Sequence, residues 1–247
     1  MPTKIDWCDE TVNPLGHGCY GPGGTAENPK RCSYCYAYKL ARRNLRGCDL
    51  CKQFIPHTHF EQLDKLQKWK TPKNIFIQSM GDLFHDAIPD EWIQEVFEAF
   101  EEAPWHNYLF LTKNPDRYCN PWFGTFLHNR SQELLNNIWL GATATNGAEF
   151  DHANECFGKM YGDCAMFISV EPLLGKVTIP DHWVNRFFDW VIIGEQTNPI
   201  VEPDSEWTAR IMDDCRNYKI PVFLKKPLAD KYYPLQQYPE GLKLDKI

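Results

Sequence analysis

The sequence predicts an α/β fold, a partial (β/α) barrel of about six or seven parallel strands in a single domain over residues 1–247. Two observations support this fold. Short apolar runs rich in β-branched and aromatic residues recur along the chain, as is typical of strands buried on both faces of a parallel sheet. Amphipathic segments lie between the runs, and the alternation of strand and helix favours right-handed crossovers in one sheet.

The predicted strands begin near the N-terminus with a short extended piece around Thr11–Pro14. Each of the remaining predicted strands is a nearly continuous apolar run, and they are Asn74–Ser79, Tyr108–Thr112, Ile138–Ala142, Ala165–Val170, Trp190–Gly194 and Pro221–Lys225. Such runs predict parallel strands covered by other elements on both faces.

The clearest predicted helix is Pro89–Ala103, because its large apolar residues recur at helical spacing and Pro89 and Asp90 suit a helix start. Similar patterns predict helices at Glu149–Tyr161 and Ser205–Tyr218 and a short one at Trp183–Phe188. Residues 44–71 precede the second strand and form a predicted insertion that contains cysteine and histidine.

Composition limits the class of protein. Hydrophobic residues make up 43% of the chain and aromatic residues 14%, which indicates a globular protein. No apolar run approaches the roughly 18 residues of a membrane span, and the N-terminal stretch lacks a signal-peptide pattern. We therefore expect a cytoplasmic protein with no membrane partner, in which clustered cysteines bind metal more often than they form disulfides.

The charge pattern bears on nucleic-acid binding. A formal net charge of −7 argues against a surface coated for nucleic acid. One local basic run is present, however, and consists of Lys30, Arg31, Lys39, Arg42, Arg43 and Arg46. This run is either a solvated helix face or an anion site beside the cysteines.

Polar residues directly follow the predicted strands. In parallel α/β folds the carboxyl ends of the strands meet at one edge, where the chemistry is placed. Any one of these residues could simply cap a helix or form a turn, but the loops together predict a ligand site. The residues concerned are Ser79, Gly81, Asp82, His85, Lys113, Asn146, Glu171, Glu195, Lys225 and Lys226.

Two cysteine groups stand out in the first 60 residues. Cys19, Cys32 and Cys35 have the spacing C-x12-C-x2-C, and three thiolates fit a 4Fe–4S cluster with one open iron. The glycines of the long gap, GPGG from Gly21, predict a flexible loop that lets Cys19 reach the other two. On spacing alone, zinc and iron–sulfur binding are equally favoured.

The second group is a zinc candidate, because two thiolates and two imidazoles suit a tetrahedral zinc ion. It consists of Cys48, Cys51, His57 and His59. The scattered cysteines are predicted to be small buried hydrophobes, and they are Cys119, Cys156, Cys164 and Cys215.

Several strings occur together in a fixed order. They include IDWCDETVNPLGHGC, CSYCYA, IFIQSMGDLFHDAIPDEWI, LTKNPDR, WLGATATN, ISVEPLLG and DWVIIGEQT. In these motifs the chain resembles a radical-SAM-like three-cysteine-motif family of phage, bacterial and archaeal proteins of undefined function. It is also distantly similar to spore photoproduct lyase. The resemblance covers nearly the whole chain, although its first cysteine gap is longer than usual and the Cys48–Cys51 pair is an addition.

The resemblance implies a radical SAM type of partial barrel that binds a 4Fe–4S cluster and S-adenosylmethionine (SAM). Cys19, Cys32 and Cys35 match the family's three-cysteine motif and would hold the cluster. Reductive cleavage of SAM would then give a 5′-deoxyadenosyl radical. The Cys48–Cys51 pair would hold a separate zinc ion or supply a fourth thiolate to the cluster.

The same resemblance implies roles for residues at the strand ends. The expected SAM-binding residues are Tyr36, Ser79, Gly81, Asp82, Asn146 and Glu195. The expected catalytic residues are His85, Lys113 and Glu171, with His57 and His59 as further proton donors or ligands.

Two classes of function remain open at this point. The first is a radical SAM enzyme that acts on a substrate such as a nucleic acid or nucleobase, with an electron donor such as flavodoxin or ferredoxin. The alternative is a zinc-stabilised nucleic-acid-binding or structural protein on a barrel without radical chemistry.

Overall fold

The computed structural model describes residues 3–43, 47–160, 164–180, 186–232 and 234–242. Its β-strands are β1 (Glu10–Val12), β2 (Asn74–Ile77), β3 (Asn107–Thr112), β4 (Ile138–Thr143), β5 (Ala165–Val170), β6 (Trp190–Ile193), β7 (Gln196–Thr197), β8 (Ile200–Val201) and β9 (Val222–Leu224). Its α-helices are α1 (Tyr36–Ala41), α2 (Asp49–Gln53), α3 (Asp64–Lys68), α4 (Asp90–Glu101), α5 (Pro121–His128), α6 (Gln132–Leu135), α7 (Gly147–Lys159), α8 (Ser205–Tyr218) and α9 (Leu228–Lys231).

One parallel sheet has the strand order β1-β2-β3-β4-β5-β6-β9. Neighbours in this sheet are also consecutive along the chain, except for the small antiparallel hairpin β7–β8 that follows β6. Right-handed crossovers between consecutive strands place the helices on a single face, and the sheet curls into a half-barrel. The predicted α/β partial barrel of parallel strands is therefore confirmed, whereas the single-domain boundary remains a prediction.

Side chains of the sheet alternate between two cores. In β4, Ile138 and Leu140 belong to the outer core that the helices cover, while Trp139 belongs to an inner core. The inner core is mostly aromatic, and its strand residues are Phe76, Leu109, Trp139, Phe167, Trp190, Ile192 and Phe223. These side chains fill the interior of the half-barrel as a floor and leave its mouth for the strand-end loops.

Three of the four predicted helices agree well with the structure. Helix α8 has the predicted bounds, and α4 buries Ile93, Val96, Phe97 and Phe100 on the predicted stripe. The predicted Glu149–Tyr161 helix corresponds to α7, which begins at Gly147 because Asn146 caps it, and Tyr161 lies outside the described residues. For the predicted short helix at 183–188, residues 183–185 also lie outside them, and Arg186–Phe188 are not helical.

The insertion before β2 carries short helices rather than one long element. Helices α2 and α3 flank a 3₁₀ turn at Phe60–Gln62 within it. Its first residues, 44–46, lie outside the described residues, and so Arg46 of the basic run does too. In the ranges that the structure describes, no helix combines the length and the apolar character that crossing a bilayer requires.

Candidate functional site

A cavity of about 750 Å³ opens at the mouth of the half-barrel. We call it the mouth cavity. This volume lies within the range of small-molecule and cofactor sites. Its walls include residues that directly follow the strands of the sheet, namely Asn13, Ser79, Gly81, Asp82, Lys113, Glu171, Glu195 and Lys225. The predicted convergence of strand-end residues is thus visible in the geometry of the site.

Cys19, Cys32 and Cys35 all line the mouth cavity. The Cys32–Cys35 pair forms a tight turn in which the N–H of Cys35 donates to the carbonyl oxygen of Cys32 at 3.1 Å. Cys35 then caps helix α1, because its Sγ accepts a hydrogen bond from the N–H of Tyr38 at 3.3 Å. On the other side, the Sγ of Cys19 accepts one from the N–H of Gly21 at 3.2 Å.

The long gap between Cys19 and Cys32 is a loop closed at its base, which differs from the flexible linker that the sequence predicts. The N–H of Lys30 donates to the carbonyl oxygen of Tyr20 at 2.6 Å. Gly21, with φ +80°, passes so close to Lys30 that a Cβ on it would lie 2.0 Å from the Lys30 carbonyl oxygen. This closure brings the two ends of the gap, and with them Cys19 and Cys32, to the same wall of the cavity.

The three thiols suit a group larger than a single zinc ion. Thiolates on one tetrahedral zinc lie about 3.8 Å apart. Among the described residues, the groups of three or more ligand atoms that lie within 4.8 Å of one another do not include this trio. Burial raises the pKa of the Cys19 thiol to about 12, so the protein alone keeps it protonated. The donor set fits an iron–sulfur cluster, which is held by cysteine thiolates.

The loop after β2 joins the cysteine segment to the sheet. Asn13 Oδ1 accepts hydrogen bonds from Ser79 Oγ at 3.2 Å and from the N–H of Met80 at 2.8 Å. Tyr36, the first residue of α1, donates its hydroxyl hydrogen to the carbonyl oxygen of Ser79 at 2.6 Å. Gly81 forms an isolated parallel bridge with Gly18, directly before Cys19.

Asp82 is buried and joins the loops after β2 and β3. Its carboxylate accepts hydrogen bonds from Thr112 Oγ1 at 2.8 Å, the N–H of Lys113 at 3.0 Å and the N–H of Phe84 at 3.1 Å. Burial raises the pKa of Asp82, and these donors lower it in part. The Lys113 ammonium lies 5.5 Å from the ring centroid of Tyr34. Tyr34 lies between Cys32 and Cys35 in the sequence.

Two carboxylates and the Lys225 ammonium group also line the cavity, after β5, β6 and β9. Glu171, after β5, forms an ion pair with Lys225, after β9. Glu195, after β6, is buried. Its burial, and to a smaller extent the nearby Glu202 carboxylate, raise its pKa. The two carboxylates therefore offer hydrogen-bond acceptors in the same cavity as the thiols.

His85, predicted to be catalytic, and Asn146, predicted to bind SAM, do not line the cavity. His85 is buried behind the loop after β2, where its Nε2 lies 2.9 Å from the carbonyl oxygen of Gly21 and its Nδ1 accepts from the N–H of Ala87 at 3.0 Å. These contacts give His85 a positioning role for the cysteine loop. Asn146 caps α7, with its Oδ1 accepting the N–H of Glu149 at 3.1 Å. Their predicted functional roles remain predictions.

The family profile of DUF5131 matches residues 2–237. The chain belongs to the DUF5131 family. This family is described as a protein of unknown function. The predicted resemblance to a family without a defined function is confirmed to this extent, and a phage origin remains a prediction.

No curated protein matches the DUF5131 chain. Among solved structures, a similar one is "Spore photoproduct lyase complexed with dinucleoside spore photoproduct". The match has a TM-score of 0.47 and 12% sequence identity, and it covers 85% of this chain and 74% of that one. The distant likeness to spore photoproduct lyase is thus confirmed, but it bears on neither the ligands nor the reaction of the DUF5131 chain.

The second cysteine group of the DUF5131 chain lies in the insertion. Cys48 directly precedes α2, and Cys51 lies within it. His57 and His59 follow this helix along the chain. None of these four is among the described residues that line the mouth cavity. Their ligand atoms nonetheless lie within 4.8 Å of one another, as the predicted zinc set requires.

The structure also shows the surroundings of the scattered cysteines and of the basic run in the DUF5131 chain. Cys156, Cys164 and Cys215 are buried, as predicted, whereas Cys119 is only partly buried. In the basic run, the guanidinium groups of Arg31 and Arg42 lie 4.9 and 5.8 Å from the ring centroid of Tyr38. The run therefore lies partly on α1, beside the cysteine turn.

Sequence reasoning missed Asn13 and Gln78. Gln78 is buried with φ +65°, accepts the N–H of Leu15 at 3.0 Å and donates to the carbonyl oxygen of Gly16 at 3.0 Å. It fixes the path from β1 towards Cys19. A glutamine at the end of an apolar strand gives no pattern from which this role could be predicted.

Proposed function

We propose that the protein is a radical SAM enzyme whose 4Fe–4S cluster binds to Cys19, Cys32 and Cys35. The observation that carries the proposal is that these three thiols line a cavity at the carboxyl ends of a parallel half-barrel. Three thiolates leave one iron of such a cluster open to a small ligand. When bound and reduced, the cluster supplies an electron for cleavage of the SAM sulfonium bond.

The residues of the cavity then bind and orient SAM. Ser79 and the backbone around Gly81 accept from the SAM ammonium group, and Tyr36 holds this loop through its hydrogen bond to the Ser79 carbonyl oxygen. The Lys113 ammonium, above the Tyr34 ring, neutralises the SAM carboxylate. Glu195, which also lines the cavity, would accept hydrogen bonds from the ribose hydroxyls. The aromatic floor keeps water away from the lower end of the site.

The Glu171–Lys225 pair serves the substrate in this proposal. The pair lies in the same cavity as the cysteines, and this shared cavity supports a role for the Glu171 carboxylate in accepting a proton from a bound substrate. We propose a nucleic acid or nucleobase as that substrate, because Arg31 and Arg42 beside the cysteine turn suit phosphate groups. An electron donor such as flavodoxin or ferredoxin completes the set of partners.

Anaerobic reconstitution tests the proposal. We expect about four iron atoms per chain and a brown protein for the wild type, and loss of both in Cys32→Ala. Cys119→Ala is the matched control, because Cys119 lies outside the cavity, and it should keep the iron. After reduction and addition of SAM, the wild type should release 5′-deoxyadenosine, as measured by mass spectrometry.

Two results would contradict this function. A cluster that survives in Cys32→Ala would show that the ligand set is wrong. A fully loaded cluster that yields no 5′-deoxyadenosine would favour the alternative, a binding protein on a barrel without radical chemistry.

A further inference from the structure

The second cysteine group has the dimensions of a tetrahedral metal site. His57 Nε2 lies 3.2 Å from Cys48 Sγ and 3.6 Å from Cys51 Sγ, and His59 Nε2 lies 3.7 Å from Cys51 Sγ. Ligand atoms around one tetrahedral zinc, at Zn–S and Zn–N bond lengths of about 2.3 and 2.0 Å, are about 3.3 to 3.8 Å apart. The observed separations therefore suit one zinc ion at the centre of the group.

The remaining ring nitrogens orient both imidazoles for a metal. His57 Nδ1 lies 2.7 Å from the carbonyl oxygen of Ile55, and His59 Nδ1 lies 2.8 Å from Glu61 Oε1. Both partners are acceptors, so Nδ1 carries the hydrogen in each neutral ring and the Nε2 lone pair points towards the thiols. Metal-binding histidines are commonly held by a carbonyl or carboxylate in this way.

We propose that Cys48, Cys51, His57 and His59 bind one structural zinc ion that is separate from the mouth cavity. Two thiolates and two imidazoles form one of the ligand sets that structural zinc sites use. Four protein ligands complete the coordination, which is the arrangement of structural rather than catalytic zinc sites.

The zinc site fixes the segment that leads to Cys19. Gly16, with φ +59°, lies against both imidazoles, since a Cβ on it would be 2.8 Å from His57 Cε1 and from His59 Cδ2. The N–H of His59 donates to the carbonyl oxygen of Pro14 at 2.6 Å, and the N–H of His17 donates to Cys51 Sγ at 3.3 Å. The ion thereby sets where Cys19 enters the cavity, and this last step rests on the proposed function.

Zinc content measured by elemental analysis tests the site. Protein expressed in full length and treated with a mild chelator should hold about one zinc per chain in the wild type and more than tenfold less in Cys51→Ser. The matched control is His152→Ala. His152 also lies with Asp116 and Cys156 in a group whose ligand atoms are within 4.8 Å of one another, but this group has only three ligands and the His152 side chain is exposed. This control should keep its zinc.

Glu61→Gln covers the case in which Cys51→Ser does not fold. Glu61 is an exposed positioning residue, so its replacement should leave the fold intact and weaken zinc affinity about 10- to 100-fold. Cobalt added to metal-free wild type should give the intense visible bands of a tetrahedral thiolate site. Absence of those bands, or zinc that persists in both variants, would overturn the proposal.

Iron analysis separates this inference from the proposed function. Cys32→Ala should lose iron and keep zinc, whereas Cys51→Ser should lose zinc and bind iron less completely. Full iron content in a zinc-free, folded Cys51→Ser variant would overturn the effect on Cys19. If Cys51→Ser loses its iron, and spectroscopy of the wild type shows iron bound to Cys48 or Cys51, the pair belongs to the cluster instead.

Discussion

Asp82 shows how one buried carboxylate can hold a site together. The family resemblance implies that Asp82 binds SAM, yet three protein donors already occupy its oxygens. Its carboxylate ties the loop after β2, which contacts the cysteine segment, to the loop that carries Lys113. The residue therefore positions the cavity wall whatever else it contacts.

We expect Asp82→Asn to lower the free energy of unfolding by about 1–3 kcal/mol. The NH₂ group of the asparagine would face a buried backbone N–H group, and that N–H would lose its acceptor. Urea denaturation measures the change. Asp86→Asn is the control, since Asp86 is exposed, and it should change stability by less than about 0.5 kcal/mol. Equal stability of wild type and Asp82→Asn would show that the link Asp82 makes between the two loops does not stabilise the fold.

Some site residues could be predicted from the sequence because their placement follows from strand position alone. Ser79, Lys113, Glu171 and Glu195 directly follow apolar runs, and parallel strands bring such positions to one edge. Asn13 could not be predicted, because its role depends on contacts with residues more than 60 positions away.

At the level of elements, the central strands and long helices follow from apolar periodicity, whereas the short elements do not. Helices α1, α2 and α3 are five or six residues long. Isolated helices of this length are unstable in water, so tertiary packing rather than local propensity selects them. The hairpin β7–β8 is likewise too short for a detectable alternation.

The loop between Cys19 and Cys32 offers a test of its closed base. Gly21 and Gly23 both have positive φ, but a Cβ on Gly21 would strike the Lys30 backbone while one on Gly23 would find only the Lys30 ammonium at 3.9 Å. Gly23→Ala should cost about 1–2 kcal/mol for its backbone conformation. Gly21→Ala should lower the free energy of unfolding by more than Gly23→Ala does, as measured by urea denaturation. The Gly21→Ala protein should also bind less iron. Equal losses would mean that the loop is slack, as the sequence predicts.

For the whole molecule, the parallel half-barrel places its packed apolar cores and its polar candidate site in different regions. The aromatic inner core and the helix-covered outer core lie below, and the polar strand ends gather above. The sequence predicts this division because the strands are apolar throughout and their following residues are not. The curvature itself follows from the consecutive strand order, which apolar runs alone do not determine.

The pH dependence of global stability has one identifiable source in His106. It is buried, its Nε2 lies 3.0 Å from the carbonyl oxygen of Leu66, and burial lowers its pKa. The unfolded chain therefore takes up a proton at His106 more readily than the folded chain as pH falls through the ordinary histidine range. By linkage, stability should fall with pH below about 6.5.

His106→Gln keeps an amide donor for Leu66 and removes the titration. The stability advantage of the wild type over this variant should shrink between about pH 7.5 and about pH 5.5, by up to about 1.4 kcal/mol per pH unit. Urea denaturation of both proteins across this range measures it. A difference that stays constant with pH would exclude His106 as the source.

The packing of Gly16 on the two imidazoles has a consequence for the order of metal loading in a cell. The chain that approaches Cys19 is held by the proposed zinc ligands before it reaches the mouth cavity. Iron would then be assembled on a site that zinc has already shaped. Zinc starvation would yield iron-poor protein even when iron and sulfide are plentiful, whereas iron starvation would leave the zinc content unchanged.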